Sequence, residues 1–250
     1  MEQPKTVHVV VRRRDGPDAP ARWEEFSVPH QSGMNVISLL QAIRLNPNTR
    51  EGKPTTPVTW DCNCLEEVCG ACTMIVNGRV CQSCSALVDR LRQPIVLEPM
   101  TKFPVIRDLM VDRSRMFENL KKIHGWIPID GTYDLGSGPP IDPDDQLEAY
   151  DLSRCMTCGC CVEACPQVNE RSDFMGPAVI GQTVYFNMHP TGRTDKNDRL
   201  KAMMGKGGIA DCGKAQNCVK VCPKDIPLTK AISQLGREVS IRIIEKLFKE

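Results

Sequence analysis

Cysteine is the residue type in this chain whose spacing could do chemistry: fourteen are present, and most fall in three short runs. In the first run Cys64, Cys69 and Cys72 stand in the order C-x4-C-x2-C, with Cys84 following. This is the plant-type spacing by which four thiolates surround a [2Fe–2S] cluster. Thiolates are soft, charged donors suited to iron, and N–H groups of a wrapping loop can hydrogen-bond to the sulfurs and set the potential. Gly70 allows a backbone turn that a side chain would obstruct. Cys62 and Cys81 compete for the outer positions. Cys62 would leave an x6 gap to Cys69 and reads as a bystander. Cys81 is not dismissed by geometry alone, and Cys84 is chosen over it on spacing. A structural zinc site is the plainer alternative, disfavoured by the x4 gap.

The second run, CMTCGCCVEACP, sets Cys155, Cys158, Cys161 and Cys165 before Pro166, the bacterial C-x2-C-x2-C-x3-C-P pattern. In two-cluster ferredoxins the first three thiolates bind one cluster and the fourth binds the other, so a further group must lie downstream. Cys212, Cys218 and Cys222, the last before Pro223, supply it as C-x5-C-x3-C-P. The crossed arrangement assigns Cys155, Cys158, Cys161 and Cys222 to one cluster, and Cys165, Cys212 and Cys218 to the other. The usual middle position of the last group is Gln216, not cysteine. Three thiolates leave one cubane corner without a sulfur ligand, which favours [3Fe–4S], with a non-cysteine fourth ligand as the alternative. Cys160 reads as a small buried hydrophobe. The proline after each closing cysteine fixes φ and turns the chain away.

The elements that must position the first run read as a small mixed sheet covered by one helix. VHVVVRR over residues 7–13 and the stretch around Phe26 to Val28 are strands. Val36, Leu39, Leu40 and Ile43 form the apolar stripe of a helix that Asn46-Pro47 ends. Thr73–Val76 is a strand turning at Asn77-Gly78, and Pro94–Leu97 is a last strand. A helical stretch from about Val105 to Ile123 opens a second region, followed by a Pro-, Gly- and Asp-rich loop over residues 124–145. Further helices are predicted over Gln146–Leu152, Gly176–Met188, Lys196–Met204 and Leu228–Phe248, with the cysteine groups in the turns between them.

At 250 residues, 41% hydrophobic and 25% charged, the chain has the composition of a globular protein of two modules. Its 32 basic against 31 acidic residues give no general pull toward nucleic acid, and no nucleic-acid partner is expected. The start has no apolar core followed by a cleavage site, and no run approaches the ~20 apolar residues that span a bilayer. A cytoplasmic setting follows, in which thiols stay reduced and disulfides do not account for fourteen cysteines. His8, His30, His124 and His189 are read as ordinary surface or core residues, and no catalytic acid, base or nucleophile is assigned. The stripe Ile241, Ile243, Ile244 and Leu247 is read as core or subunit contact, not membrane anchor.

With all three runs in view, the chain resembles the iron–sulfur subunit of succinate dehydrogenase and fumarate reductase, respiratory complex II. The carrying segments are WDCNCLEEVCGACTMIVNG with Cys84 behind it, CMTCGCCVEACP, and DCGKAQNCVKVCPKDIPLTKAI. The resemblance implies an α+β fold: an N-terminal β-grasp plant-type [2Fe–2S] ferredoxin domain over residues 1–104, then an α-helical bacterial-ferredoxin-like domain over residues 105–250 holding [4Fe–4S] and [3Fe–4S]. Family ligands map onto the same eleven cysteines that spacing assigns. The implied role is electron transfer, one electron at a time, between the FAD of a flavoprotein subunit and quinone at a membrane anchor. FAD and haem would sit only on those partners, with this chain peripheral on the cytoplasmic face of the membrane. Ubiquinone-using relatives place tryptophan shortly after the first Cys-Pro and histidine after the first cysteine of the last group. Here Gln167 and Gly213 follow instead. The chain is therefore more similar to Gram-positive-type subunits, which imply a cytochrome b anchor with haem and menaquinone. The alternative is a cluster subunit of a thiol-linked fumarate reductase or heterodisulfide reductase-like enzyme.

Overall fold

The structure, a computed structural model, describes residues 6–128 and 139–248. One compact unit comprises the residues up to Arg113 together with Cys158–Glu163; the other comprises Ser114–Thr157 and the residues from Ala164 onward.

In the first unit β1 (Thr6–Arg13) pairs antiparallel with β2 (Arg22–Pro29), setting Val9 opposite Phe26 and Val7 opposite Val28. Strand side chains alternate between faces, so Val7, Val9, Val11, Phe26 and Val28 all enter the core. Helix α1 (Val36–Leu45) covers that face with Val36, Ile37, Leu39, Leu40 and Ile43. Its start is fixed by a capping box: the Ser38 N–H donates to the Asn35 side chain, and the Asn35 N–H donates to Ser38 Oγ, both at 2.9 Å. Strands β3 (Thr73–Val76) and β4 (Arg79–Gln82) form a hairpin at Asn77-Gly78, both with positive φ, as a tight turn matched to strand twist requires. Strand β5 (Ile95–Glu98) lies between them and β1, parallel to β1 and antiparallel to β3, giving the order β2-β1-β5-β3-β4. A single helix grasped by a mixed sheet is the α+β arrangement expected of this half.

The helix predicted from Val105 begins only at Ser114. Residues before it form a second hairpin, β6 (Val105–Arg107) and β7 (Met110–Val111), which turns through Asp108 at φ +47°. Tertiary bonding overrides the apolar period here. The Asp108 carboxylate, without solvent exposure, accepts from Arg13 at 2.9 and 3.2 Å and from the N–H groups of Arg14 and Thr59 at 3.0 and 2.9 Å. Arg13, equally buried, also donates to Thr56 O and Glu24.

The second unit is helical. It contains α2 (Ser114–Lys122), α3 (Pro143–Ser153), α5 (Pro177–Met188), α6 (Lys196–Met204), the short α7 (Asn217–Lys220) and α8 (Leu228–Leu247). The one-turn α4 (Cys160–Glu163) belongs to the first unit. Helix α3 starts on the Asp142 side chain, which accepts the Asp144 N–H at 2.9 Å, with Pro143 at the first helical position. Of the loop predicted over residues 124–145, the part at 129–138 lies outside the described residues. Helix α5 is buried on nearly every side, as a central helix must be. Its Gly181 lets α8 approach: a Cβ there would stand 3.1 Å from Leu228. Arg199 on α6 is buried and donates to the carbonyls of His124, Trp126 and Gly192, which ties the chain after α2 to the bundle. Burial pulls its pKa down.

Helix α8 buries Leu228, Ala231, Leu235 and Val239, one stripe at helical spacing. Ile241, Ile243, Ile244 and Leu247 lie between 44% and 71% exposed, so the reading of that stripe as core is corrected: the buried face ends at Val239. Among the described residues no helix is long and apolar enough to cross a membrane.

Removing the Asp108 carboxylate leaves the buried Arg13 with Glu24 as its remaining carboxylate partner and takes the acceptor from the Arg14 and Thr59 N–H groups. Asp108→Ala is expected to destabilise the chain by about 3–5 kcal/mol, read from denaturant midpoints, while Arg50→Ala, at an exposed pair with Glu25, costs under ~1 kcal/mol.

Candidate iron–sulfur sites

The loop between α1 and β3 carries Cys64, Cys69 and Cys72, and Cys84 follows β4. The loop is wound by alternating backbone sign, with Leu65 at φ +61°, Glu67 at +55° and Gly70 at +72°. Such winding turns successive N–H groups into one concavity, an anion-binding nest. The sulfurs occupy it. Cys64 Sγ accepts from the N–H groups of Glu66, Val68 and Cys69 at 3.4, 3.3 and 3.3 Å. From the same turn the Glu67 N–H reaches Cys84 Sγ at 3.3 Å, and the Ala71 N–H reaches Cys69 Sγ at 3.4 Å.

Two sulfur pairs result, Cys64 with Cys69 and Cys72 with Cys84. The three N–H donors bring the Cys64 thiol down to about 7. Burial pushes the Cys72 thiol up to about 12, against the N–H groups of Cys84 and Ser83. A thiolate there needs a cation to form. Cys81, by contrast, packs against the apolar core and sits opposite Met74 in the β3–β4 ladder; burial pushes its thiol up to about 11. Cys62 is exposed.

In the second run, Cys158 and Cys161 lie with α4 in the first unit, and Cys155 and Cys165 in the second. Cys158, Cys160 and Cys161 are buried. Thr157 at φ +53° and Gly159 at +90° turn the chain into α4. Gly159 is needed for contact as well: a Cβ would stand 3.2 Å from Phe103 and 3.4 Å from Met100 Sδ. Glu163, at the end of α4, accepts from Thr101 Oγ1 and from the Lys102 N–H at 3.0 Å. A hydrogen bond with Cys160, then burial, holds the Cys158 thiol well above its usual range.

One residue that sequence reasoning misses is Arg113. Its guanidinium donates to the carbonyls of Gly70 and Ala71 in the first cysteine loop and to that of Cys158 at 3.5 Å. No local pattern announces it, because the partners are backbone oxygens some forty positions away in either direction.

The second unit holds a cavity of about 700 Å³ into which Cys165, Cys212 and Cys218 all open, with Gln216, Ile209 and Ile243. Asn217 opens α7 with Cys218 next to it, and Asn217 donates to Ala164 O at 3.1 Å, which ties this turn to the residue before Cys165. Burial foremost, then the Cys165 and Cys212 sulfurs, push the Cys218 thiol up. Gln216 is left-handed at φ +61°. Gly213 packs directly on Gln167: a Cβ would meet its Nε2 at 2.2 Å, so any side chain at 213 requires Gln167 to turn aside. Cys222, half-buried, follows the end of α7, its N–H donating to Val219 O. Among the described residues no three His, Cys, Asp or Glu side chains are grouped so as to hold one metal ion.

Comparison with known proteins matches residues 8–118 to the 2Fe-2S iron-sulfur cluster binding domain and residues 151–226 to the 4Fe-4S dicluster domain. The chain is 55% identical over 248 residues to the succinate dehydrogenase iron-sulfur subunit of Bacillus subtilis (strain 168), covering 99% of this chain and 98% of that one. It is 28% identical over 222 residues to the fumarate reductase iron-sulfur subunit of Wolinella succinogenes, covering 87% and 89%. Its fold superposes with TM-score 0.82 on a chain of the Mycobacterium smegmatis Sdh1 complex in the apo form, at 22% identity, covering 96% of this chain and 98% of that one. Sulfur nests and paired thiols at the family's spacing, on a chain matched end to end, place this protein among the iron–sulfur electron-transfer subunits of the succinate dehydrogenase and fumarate reductase family.

Proposed function

We propose that eleven cysteines hold the three clusters through which this subunit conducts. Cys64, Cys69, Cys72 and Cys84 bind [2Fe–2S]; Cys155, Cys158, Cys161 and Cys222 bind [4Fe–4S]; Cys165, Cys212 and Cys218 bind [3Fe–4S]. The observation that carries the last assignment is the cavity onto which those three sulfurs open, with an amide, Gln216, as the further side chain in the cysteine's usual place. The closeness of Cys64 to Cys69 and of Cys72 to Cys84 supports these four as the residues that would hold the first cluster.

Bound clusters supply one-electron steps that link two-electron flavin chemistry to quinone. The residues of this chain do the rest. Backbone N–H groups of Glu66, Glu67, Val68 and Cys69 face the sulfurs and stabilise negative charge there. Arg113 holds the carbonyls of the first cysteine loop in place while adding positive charge near Cys158. Burial of Cys72 and Cys218 keeps water from the sulfurs.

The partners of this reading are a flavoprotein subunit carrying FAD and a membrane anchor, a cytochrome b with haem, at which quinone reacts. The chain would then lie peripherally on the cytoplasmic face, held by the anchor. Menaquinone is the favoured quinone, because the histidine of the ubiquinone-type pocket is replaced by Gly213, and the Gly213–Gln167 contact is built for the absence of a side chain.

Cys218→Ser is expected to remove the [3Fe–4S] EPR signal of the oxidised complex and spare the [2Fe–2S] signal of the reduced one; losing only the latter contradicts the assignment. Cys62→Ala leaves all three cluster signals in place. Cys84→Ala abolishes the [2Fe–2S] signal, whereas Cys81→Ala retains it, and the opposite pattern would exchange the two residues' roles.

A further inference from the structure

Gln82, the last residue of β4, is 1% exposed and carries its amide between two cysteines of different runs. Its Oε1 is 3.5 Å from Cys72 Sγ and its Nε2 is 3.5 Å from Cys160 Sγ, with Thr73 Oγ1 2.6 Å from the same nitrogen. Cys160 is wholly buried and belongs to no ligand set. All four residues lie within the first compact unit.

A protonated Cys72 donates its S–H to Gln82 Oε1. A Cys72 that ligates iron has no proton and can only accept, so an amide oxygen facing it would be repelled. Half a turn about the last side-chain bond exchanges the amide's two ends in nearly the same volume. Nε2 then donates to Cys72 Sγ, and Oε1 accepts from the Cys160 S–H and from the Thr73 hydroxyl. Thr73 otherwise donates to Gly70 O at 2.9 Å, and that carbonyl keeps its bond from Arg113. The Cys72 sulfur then has a donor, and the amide oxygen has two.

We infer that Gln82 is a positioning residue for the [2Fe–2S] cluster, donating a side-chain N–H to the Cys72 sulfur and held in that orientation by Cys160 and Thr73. Cys160 thereby gains a role: its S–H anchors an amide that serves a ligand of the first cysteine run. A donor to a ligand sulfur stabilises the reduced, more negative cluster more than the oxidised one and raises its potential. The inference rests on Cys72 being a [2Fe–2S] ligand.

The test is an EPR redox titration of the assembled membrane complex carrying Gln82→Met, which keeps the volume and removes the donor. The expected result is full [2Fe–2S] intensity with a lower midpoint, by roughly tenfold in the one-electron equilibrium or ~59 mV, and an unmoved [3Fe–4S] midpoint. An unmoved [2Fe–2S] midpoint at full intensity overturns the inference. If the variant loses the cluster, the unsubstituted complex decides. Heavy-nitrogen labelling of the glutamine side-chain amide should change the nitrogen hyperfine coupling of the reduced [2Fe–2S] signal, and no change overturns the role. Cys72→Ser is run alongside: an unaltered [2Fe–2S] spectrum there sinks the ligand assignment itself, while an unmoved Gln82→Met midpoint sinks the role of Gln82 alone.

Discussion

Negative sulfur inside a folded chain is stable only where N–H groups or cations face it, and the cysteine loops of this protein are shaped by that requirement. Each run contains two or more residues in the left-handed region: Leu65, Glu67 and Gly70 in the first, Thr157 and Gly159 in the second, Lys214 and Gln216 in the third. For a residue with a side chain that conformation costs about 1–2 kcal/mol. In the first loop the return is visible, since the turn it creates aims five N–H groups at Cys64, Cys69 and Cys84. The buried thiols make the other half of the case. Cys72 and Cys218 resist ionisation through burial, so a bound cation would favour their thiolates.

The rest of the first unit keeps that loop where it is. The sheet and α1 bury a continuous apolar core that reaches Cys72 and Cys84 themselves. The Arg13–Asp108 pair then fixes the β6–β7 hairpin, and with it the chain that leads to Arg113. Arg113 returns to the carbonyls of Gly70 and Ala71. In the second unit the cavity lined by Cys165, Cys212 and Cys218 depends on the packing of α8, which supplies its wall, and on Asn217, which ties the last cysteine turn to Ala164.

The cluster-binding family was legible in the sequence because its signal is local: four cysteines at fixed spacing and a Gly at the turn are contained in short runs. The strands and helices with strong period, such as Val7 to Val11 and Leu228 to Val239, were legible for the same reason. The hairpin at Val105–Val111 was not, because Val105 and Ile106 fit either period and the decision rests on a buried carboxylate whose partner, Arg13, lies on β1. At the end of α8 exposure removes the core half of the reading and leaves the subunit-contact half, since an apolar stripe does not say what covers it. Arg113 and Gln82 left no signal at all, being an arginine and a glutamine in ordinary positions whose work is done through backbone oxygens and sulfurs brought close only by folding.

Conduction through three distinct iron–sulfur clusters is open to Mössbauer spectroscopy of the intact complex, enriched in the Mössbauer-active iron isotope, alongside metal and acid-labile sulfide analysis. Superposed [2Fe–2S], [3Fe–4S] and [4Fe–4S] spectra that together account for all the iron, with no zinc, are expected. Zinc without acid-labile sulfide, or two cubanes of the same [4Fe–4S] type, would overturn the three-cluster assignment.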